Sequence, residues 1–431
     1  MLIEGKKVGT TTGARPPGRA WFHLPAPEVG ASGCGPTPES RGYLGKPERW
    51  TLRCPTRNAD SAHHRVDARP DVVTRGAGAS VHLMTIEYLG SKSQLLDFVL
   101  RPILEQADVH TVADVFCGTA SVSRALAERG RRVIANDHLH LCATLAEAQL
   151  LGSATPCFDG LGDVIAPRDG ESRYSAVVRQ LNEAEQVAGF FYRTYSPASS
   201  LTGAARMYLT EDNAGKVDAM RLQIADWEGA LTRGERAILL RDLVRAVTRV
   251  SNTAGTYGCY LKTWKPRARQ PIALAALPTS ELPRRSHEVH RSDACEVAGA
   301  VEADALYLDP PYTKRQYAAY YHLLETLVSG AHPPVTGSTG LPPWQEKSSD
   351  FCYSRRAPAA LRELLDRVRT PHVFLSYSED GHIPHETILT IMRGLGRVRW
   401  SERATRRYRS NSRGRDRGLV PERLYHLVLQ T

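Results

Sequence analysis

Across 431 residues, no apolar run approaches the roughly 18 that a membrane span requires. The amino terminus has no hydrophobic core of a signal peptide, so nothing in it argues for export. Cysteine is scarce: eight are scattered through the chain with no C-x-x-C pair, which argues against a zinc framework or a disulfide scaffold and fits a reducing cytosol. No cluster of ligand-type side chains is evident either, so no metal is expected. The G-x-G-x-x-G fingerprint is absent, and with it the pyrophosphate cradle of a nicotinamide enzyme. What is present is ordinary for a globular protein, with 42% hydrophobic and 24% charged residues and enough length for two or three domains. The net charge of +10 suggests an anionic partner, nucleic acid first.

The chain is organised around the stretch from Asp304 to Leu327. Ala305-Leu306-Tyr307-Leu308 is a short apolar run of the kind a buried parallel strand shows. Pro310 and Pro311 then end it, because neither can donate to a ladder and both fix φ. Asp309 and Tyr312 are thereby held in a stiff turn at the carboxyl end of a strand, where open α/β sheets bind ligands. Tyr317, Tyr320, Tyr321, Leu324 and Leu327 follow at helical spacing.

Upstream, residues 1–83 hold nine of the 27 prolines, many glycines and no sustained periodicity. Such a segment buries too little apolar surface to order itself. It is expected to be a disordered tail, upstream sequence joined by a mis-assigned start with Met84 as the initiator, or a basic DNA-tethering arm. Residues 84–150 form an α/β half. Val112–Phe116 is read as a strand, Cys117–Ser121 as a small-residue turn, Val122–Glu128 as a helix ended by Gly130, and Val133–Asp137 as a second strand closing on an acid. That layout suits an adenosine-containing ligand, since the turn admits the ligand to the backbone and the acid can hold ribose hydroxyls. An ordinary βα turn would look the same.

Residues 151–290 turn polar and helical, with one stripe over Val217, Met220, Ile224, Trp227 and Leu231 and another over Leu239, Leu243, Val247 and Val250. A loop with Tyr260, Lys262, Trp264, Lys265, Arg267 and Arg269 interleaves aromatics with cations, as phosphate contact and base stacking require, though a solvated loop has the same look. After a Pro/Gly/Ser-rich loop at 331–357 come a helix over Leu361–Val368, a strand at Val373–Tyr377, a helix near Thr387–Met392 and a closing strand at Leu424–Leu429. Residues 401–417 carry seven arginines against two acids, forming a basic loop between strands, either mobile in solvent or suited to a phosphate backbone.

These residues carry a resemblance. Asp309-Pro310-Pro311-Tyr312 resembles the catalytic motif of amino-directed DNA methyltransferases, and Asp114-Val115-Phe116-Cys117-Gly118-Thr119 is similar to their S-adenosylmethionine motif. Tyr88-Leu89-Gly90-Ser91-Lys92 resembles the N-terminal motif of the adenine-specific class that includes Dam enzymes and type IIS modification methylases. The run from Arg315 through Thr326 looks closer to the type IIS and orphan branch. The likeness covers about residues 84–431 and has the alpha-type motif order, with an insert before D-P-P-Y.

The resemblance implies a Rossmann-like α/β fold, with a mainly parallel seven-stranded sheet, an antiparallel hairpin at its end and a mostly helical target-recognition insert at 151–290. It further implies that Phe116, Gly118 and Thr119, within the motif that Asp114 opens, wrap the methionine and sugar of S-adenosylmethionine. Asp137 would bind the ribose, Asp293 would lie near the adenine, and Tyr88, Gly90 and Lys92 would close the methionine end. Asp309, Pro310, Pro311 and Tyr312 would be catalytic, while Lys262, Lys265, Arg267, Arg315, Arg406, Arg407 and Arg409 are candidates for DNA contact.

The chemistry of D-P-P-Y has its own physical reason. An exocyclic amine is a poor nucleophile because its lone pair is delocalised into the ring. Donation of its two N–H groups to the Asp309 carboxylate and the Pro310 carbonyl would localise that pair for in-line attack on a sulfonium methyl. Tyr312 offers a stacking face for a base that has left the duplex, a step costing a few kcal/mol. Asp rather than Ser at 309 favours adenine. A cytosine 4-amino group, RNA as substrate, or a catalytically inactive nucleic-acid-binding protein are the alternatives. The expectation is a cytoplasmic monomer acting on double-stranded DNA, with any restriction endonuclease on a separate chain.

Overall fold

The computed structural model describes residues 92–152, 155–279, 281–283, 285–406 and 418–430. The tail at 1–83, Met84, Tyr88, Gly90, Arg407 and Arg409 lie outside these residues, as do residues 407–417 of the expected basic loop, whose residues 401–406 belong instead to a strand. Seven strands form one sheet: β1 (Thr111–Asp114), β2 (Arg132–Asn136), β3 (Glu288–His290), β4 (Ala305–Leu308), β5 (His372–Ser378), β6 (Gly396–Arg406) and β7 (Leu419–Leu429). Their spatial order is β3-β2-β1-β4-β5-β7-β6. The first five are parallel; β7 runs antiparallel between β5 and β6. The expected sheet, with a hairpin at its end, is therefore the observed one.

Strand order reverses between β1 and β4, which pair in register with Asp114 opposite Tyr307. That reversal leaves a crevice at the carboxyl tips, since the connections leaving β1 and β4 depart to opposite sides. Both strands are buried to the tip, as the centre of a covered parallel sheet demands, and β1 carries the carboxylate of Asp114 at its tip.

Alternate strand residues feed two cores. Val112, Val133, Phe374 and Leu424 face α1 (Leu96–Leu104) and α2 (Ser121–Glu128), and α3 (His140–Leu150) adds Ala143, Ala146 and Leu150 to that side. The helical segment between β2 and β3 contains α4 (Arg173–Glu183), α5 (Phe190–Tyr195), α6 (Glu211–Asp226) and α7 (Arg233–Val250). Ala113, Leu306, Val373 and Leu427 face the other side, against α8 (Ala294–Ala300), α11 (Ala357–Arg367) and α12 (His385–Arg393). Between β4 and α11 lie α9 (Tyr317–Tyr320) and α10 (His322–Ser329). Helices α4–α7 bury their stripes in a third core shared with α3 and α10. Helix α7 starts on a full capping box, with Thr232 accepting from the Glu235 amide and Glu235 reaching back to the Thr232 amide.

Four sequence expectations shift. Strand β1 stops at Asp114, because Val115 and Phe116 already belong to the turn. The stripe ending at Leu231 is not one helix: α6 ends at Asp226 with Trp227 as its cap, and Leu231 follows a separate short turn. The run after D-P-P-Y divides at Tyr321, whose backbone (φ −118°, ψ 19°) leaves the helical region between α9 and α10. Strand β7 begins at Leu419, five residues before the expected start, because residues 419–421 pair with β6 alone and residues 422–423 already pair with β5 as well.

Candidate active site at the carboxyl edge of the sheet

A cavity of about 520 Å³ opens at the tips of β1, β2 and β4, and Phe116, Gly118, Asp137, Asp293 and Asp309 all line it. Its first wall is the turn leaving β1. Gly118 takes φ +52°, a left-handed conformation that glycine adopts without steric cost, and Ala120 takes φ +57°. The Gly118 amide donates to Asp137 Oδ2 at 3.0 Å, and the Leu139 amide to Oδ1 at 3.0 Å. The acid closing β2 thus fixes the turn leaving β1. Burial lifts its pKa to about 6 while the two amides hold it down. The Cys142 side chain is a third partner, and a carboxylate with about four lone-pair sites can still accept from a ribose hydroxyl.

Asp114, at the tip of β1, is buried. Ser123 Oγ donates to its Oδ2 at 2.6 Å, but Oδ1 is buried with no hydrogen-bond partner. Burial first, then the charges of Asp309 and Asp137 against the partial relief of Ser123, raise its pKa to about 7. An orphaned acceptor is costly unless a ligand satisfies it. A cavity walled by Asp114, Asp137, Asp293 and Asp309 suits a cation carrying a diol, and S-adenosylmethionine, with its ammonium, sulfonium and ribose, is such a molecule. Asp293 stands at the N-cap of α8, where Oδ1 accepts from the Cys295 amide at 2.8 Å.

The D-P-P-Y turn forms the opposite wall. Lys92 Nζ lies 2.9 Å from Asp309 Oδ1 and 2.9 Å from Glu422 Oε1, with side-chain exposures of 4%, 15% and 4% for the three, so this is a buried ion triad. Ser376 Oγ donates to the same Glu422 oxygen at 2.9 Å. Burial raises the Asp309 pKa to about 6, Lys92 opposes, and Glu422 adds to the rise. Burial alone would depress the Lys92 ammonium, yet Asp309 and Glu422 outweigh it and hold Lys92 well above its ordinary value. The Tyr312 ring sits 5.3 Å from Nζ and meets Tyr377 edge-on at 5.9 Å, so its plane is braced from behind. Pro310 and Pro311 line the cavity beside it.

Several groups here carried no local signal in the sequence. The second half of the 331–357 loop walls the cavity: Phe351 meets Phe116 edge-on at 5.6 Å. Gln316 holds this strap reciprocally, donating to the Ser349 carbonyl at 3.1 Å and accepting from the Ser349 amide at 2.9 Å. Glu325 caps α3, accepting from the His140 and Leu141 amides at 3.0 and 2.8 Å, and pairs with Lys347 of the strap at 2.8 Å. Gln316 and Glu325 lie inside the run that carried the resemblance; Ser376 lies in a strand expected from the sequence, and Glu422 lies two residues before the expected start of the closing strand.

The proposed DNA contacts are less concentrated. Lys262 and Arg267 are exposed and Arg315 is half-buried, and none of the three lines the cavity. Lys265 points inward, its ammonium donating to the Thr253 carbonyl at 2.6 Å, so its charge is committed to the protein. Arg406 is the last residue of β6.

The model of the D12 class N6 adenine-specific DNA methyltransferases matches residues 88–375. The chain is 32% identical to the type II methyltransferase M.FokI of Planomicrobium okeanokoites over 315 residues, 72% of this chain and 47% of that protein. It is 33% identical to modification methylase LlaI of Lactococcus lactis subsp. lactis over 343 residues, 76% and 51% of the two chains. It is 28% identical to the type II methyltransferase M.NlaIII of Neisseria lactamica over 333 residues, 76% and 93%. The chain therefore spans about half the length of the first two. Together with a D-P-P-Y turn facing a cavity built for a cationic adenosine ligand, the match identifies the chain as a member of the D12 class N6 adenine-specific DNA methyltransferase family.

Proposed function

We propose that the protein is a site-specific DNA methyltransferase that moves a methyl group from S-adenosylmethionine to the exocyclic amine of adenine in double-stranded DNA. The observation that carries this reading is the meeting, in one cavity, of the Asp309–Tyr312 turn with the orphaned carboxylate oxygen of Asp114 and the anchored carboxylate of Asp137. Bound S-adenosylmethionine supplies an electrophilic methyl on a sulfonium. Asp114 Oδ1 accepts from its ammonium, Asp137 holds the ribose hydroxyls, and Asp293 and the Phe116–Phe351 pair border its adenine. Asp309 and the Pro310 carbonyl accept the two N–H groups of the target amine, and Tyr312 stacks on the base. Lys92, which the resemblance assigns to the cofactor, acts on the target side through Asp309.

No membrane-crossing helix occurs among the described residues. A cytoplasmic monomer, with any partner endonuclease on a separate chain, belongs to the same proposal, as do an insert at 151–290 that selects the site and Lys262, Arg267, Arg315 and Arg406 as backbone contacts. The test is transfer of labelled methyl from S-adenosylmethionine to duplex DNA, followed by digestion to nucleosides. N6-methyladenine in the digest is expected, and its loss in Asp309→Ala with cofactor binding retained. Label in cytosine, label only in RNA, or full activity in Asp309→Ala would each overturn the proposal.

A further inference from the structure

The ion triad holds one more charge than pairing requires. Lys92 and Asp309 alone would be a neutral pair, and burying a third ion costs desolvation that a structural role would not repay. Yet Glu422 approaches the same Nζ at the same 2.9 Å as Asp309, from the last strand of the chain, and Ser376 on β5 fixes it there at 2.9 Å. Neighbouring Arg423 is turned to the opposite face, toward Glu379 and Glu402, so it does not neutralise Glu422.

We propose that Glu422 is a positioning residue for the methyl transfer, holding Lys92 on one oxygen of Asp309 while sharing its charge, so that the site keeps a net negative charge. This rests on the function proposed above. With the ammonium split between two carboxylates, Asp309 keeps the electron density that an amine N–H donor needs. The excess negative charge also favours a sulfonium over an uncharged thioether. Lys92 engages Oδ1, which leaves the second oxygen of Asp309 to the substrate. The remaining groups around the triad are Tyr307 on β4, Tyr312 and Tyr317 after it, Asp114 on β1, and Arg403 and Ser378, opposite Glu422 on β6 and β5. The tyrosines are held protonated by burial, Asp114 adds negative charge only as pH rises through about 7, and Arg403 is exposed to solvent.

Glu422→Gln tests this, because it keeps the shape and removes the charge. Two readouts are taken: the pH profile of single-turnover methyl transfer, and the affinities for S-adenosylmethionine and S-adenosylhomocysteine by calorimetry. In the variant, Lys92 acts on Asp309 alone, so the acid limb is expected to move to lower pH by about one unit, a usual effect of one nearby charge. The plateau rate is expected to fall about tenfold, and the preference for the sulfonium over the thioether to shrink. An unmoved limb with an unchanged preference overturns the proposal. Should the variant not fold, Glu422→Asp carries the test: its shortened arm releases Lys92 in part, and both readouts should move the same way by less. A wild-type enzyme that leaves adenine unmethylated sinks the proposed function, whereas the sulfonium preference still reports on Glu422 by itself.

Discussion

Asp114 at the tip of β1 and Asp218 in α6 are both buried, and the chain treats them differently. Asp218 is satisfied on both oxygens, by the Phe191 amide at 2.9 Å and the Tyr192 amide at 2.8 Å, and so starts helix α5. Asp114 has one hydroxyl donor and one oxygen with no partner. In the helical segment a buried carboxylate builds structure; at the sheet edge it is held available at a cost. Asp242 belongs with Asp218, since Tyr174 donates to it and Arg241 pairs with it at 2.8 Å. An incomplete hydrogen-bond set on a buried acid therefore separates the site from the scaffold more sharply than burial does.

The contrast can be broken or sharpened by four measurements. The largest effect belongs to Asp309→Ala, which should slow single-turnover methyl transfer by about 10²–10³-fold or more, the usual loss for a group that acts on developing charge. Calorimetry should find cofactor affinity nearly intact, because Asp114 and Asp137 remain. Next comes a pair of opposite sign. Asp218→Ala should cost about 2–3 kcal/mol in urea denaturation, since two buried amides lose a charged acceptor. Asp114→Asn should stabilise the cofactor-free protein above pH 7 by about 1–3 kcal/mol, because it removes a carboxylate charge that burial disfavours, and weaken cofactor binding. If both variants destabilise alike, the distinction between the two regions fails.

The third measurement is of pH. Asp114, Asp137 and Asp309 all titrate above the ordinary carboxylate range, at about 7, 6 and 6. The native state then binds protons that the unfolded chain has released. Their contribution to stability is therefore greatest at low pH, falls as pH rises from about 4 to 7, and levels off above that. Activity should run the other way, rising through about pH 6 as Asp309 ionises; a methyl-transfer rate that is flat between pH 5 and 7 would remove Asp309 as the amine acceptor. The smallest effect is expected of Gln316→Ala, which unties the strap at Ser349. A loss of about 1 kcal/mol, or roughly fivefold in cofactor affinity, should appear in calorimetry with little change in melting temperature.

Much of the site was legible because its signals are local. A strand ended by two prolines, and a glycine turn followed by an acid after the next strand, each lie within a few residues or one βαβ unit, so short-range sterics suffice to read them. The helical stripes of α6 and α7 were legible for the same reason, apart from their ends. The strap at 345–352 was not, because its composition says loop and only its seat against Phe116 and Gln316 says wall. Lys265 misled for a related reason: a cation in an aromatic loop looks available until its ammonium is found on the Thr253 carbonyl.

The amino-acid sequence alone determined which strand tips carry reactive groups and that the chain alternates strand and helix, since both follow from side-chain periodicity and fixed φ. Only the tertiary structure decided the charge state of those groups. Lys92, Asp309 and Glu422 come from the beginning, middle and end of the described chain and meet within hydrogen-bonding distance. Coulomb energy and desolvation depend on separation in space and on distance from water, and neither is written in separation along the chain.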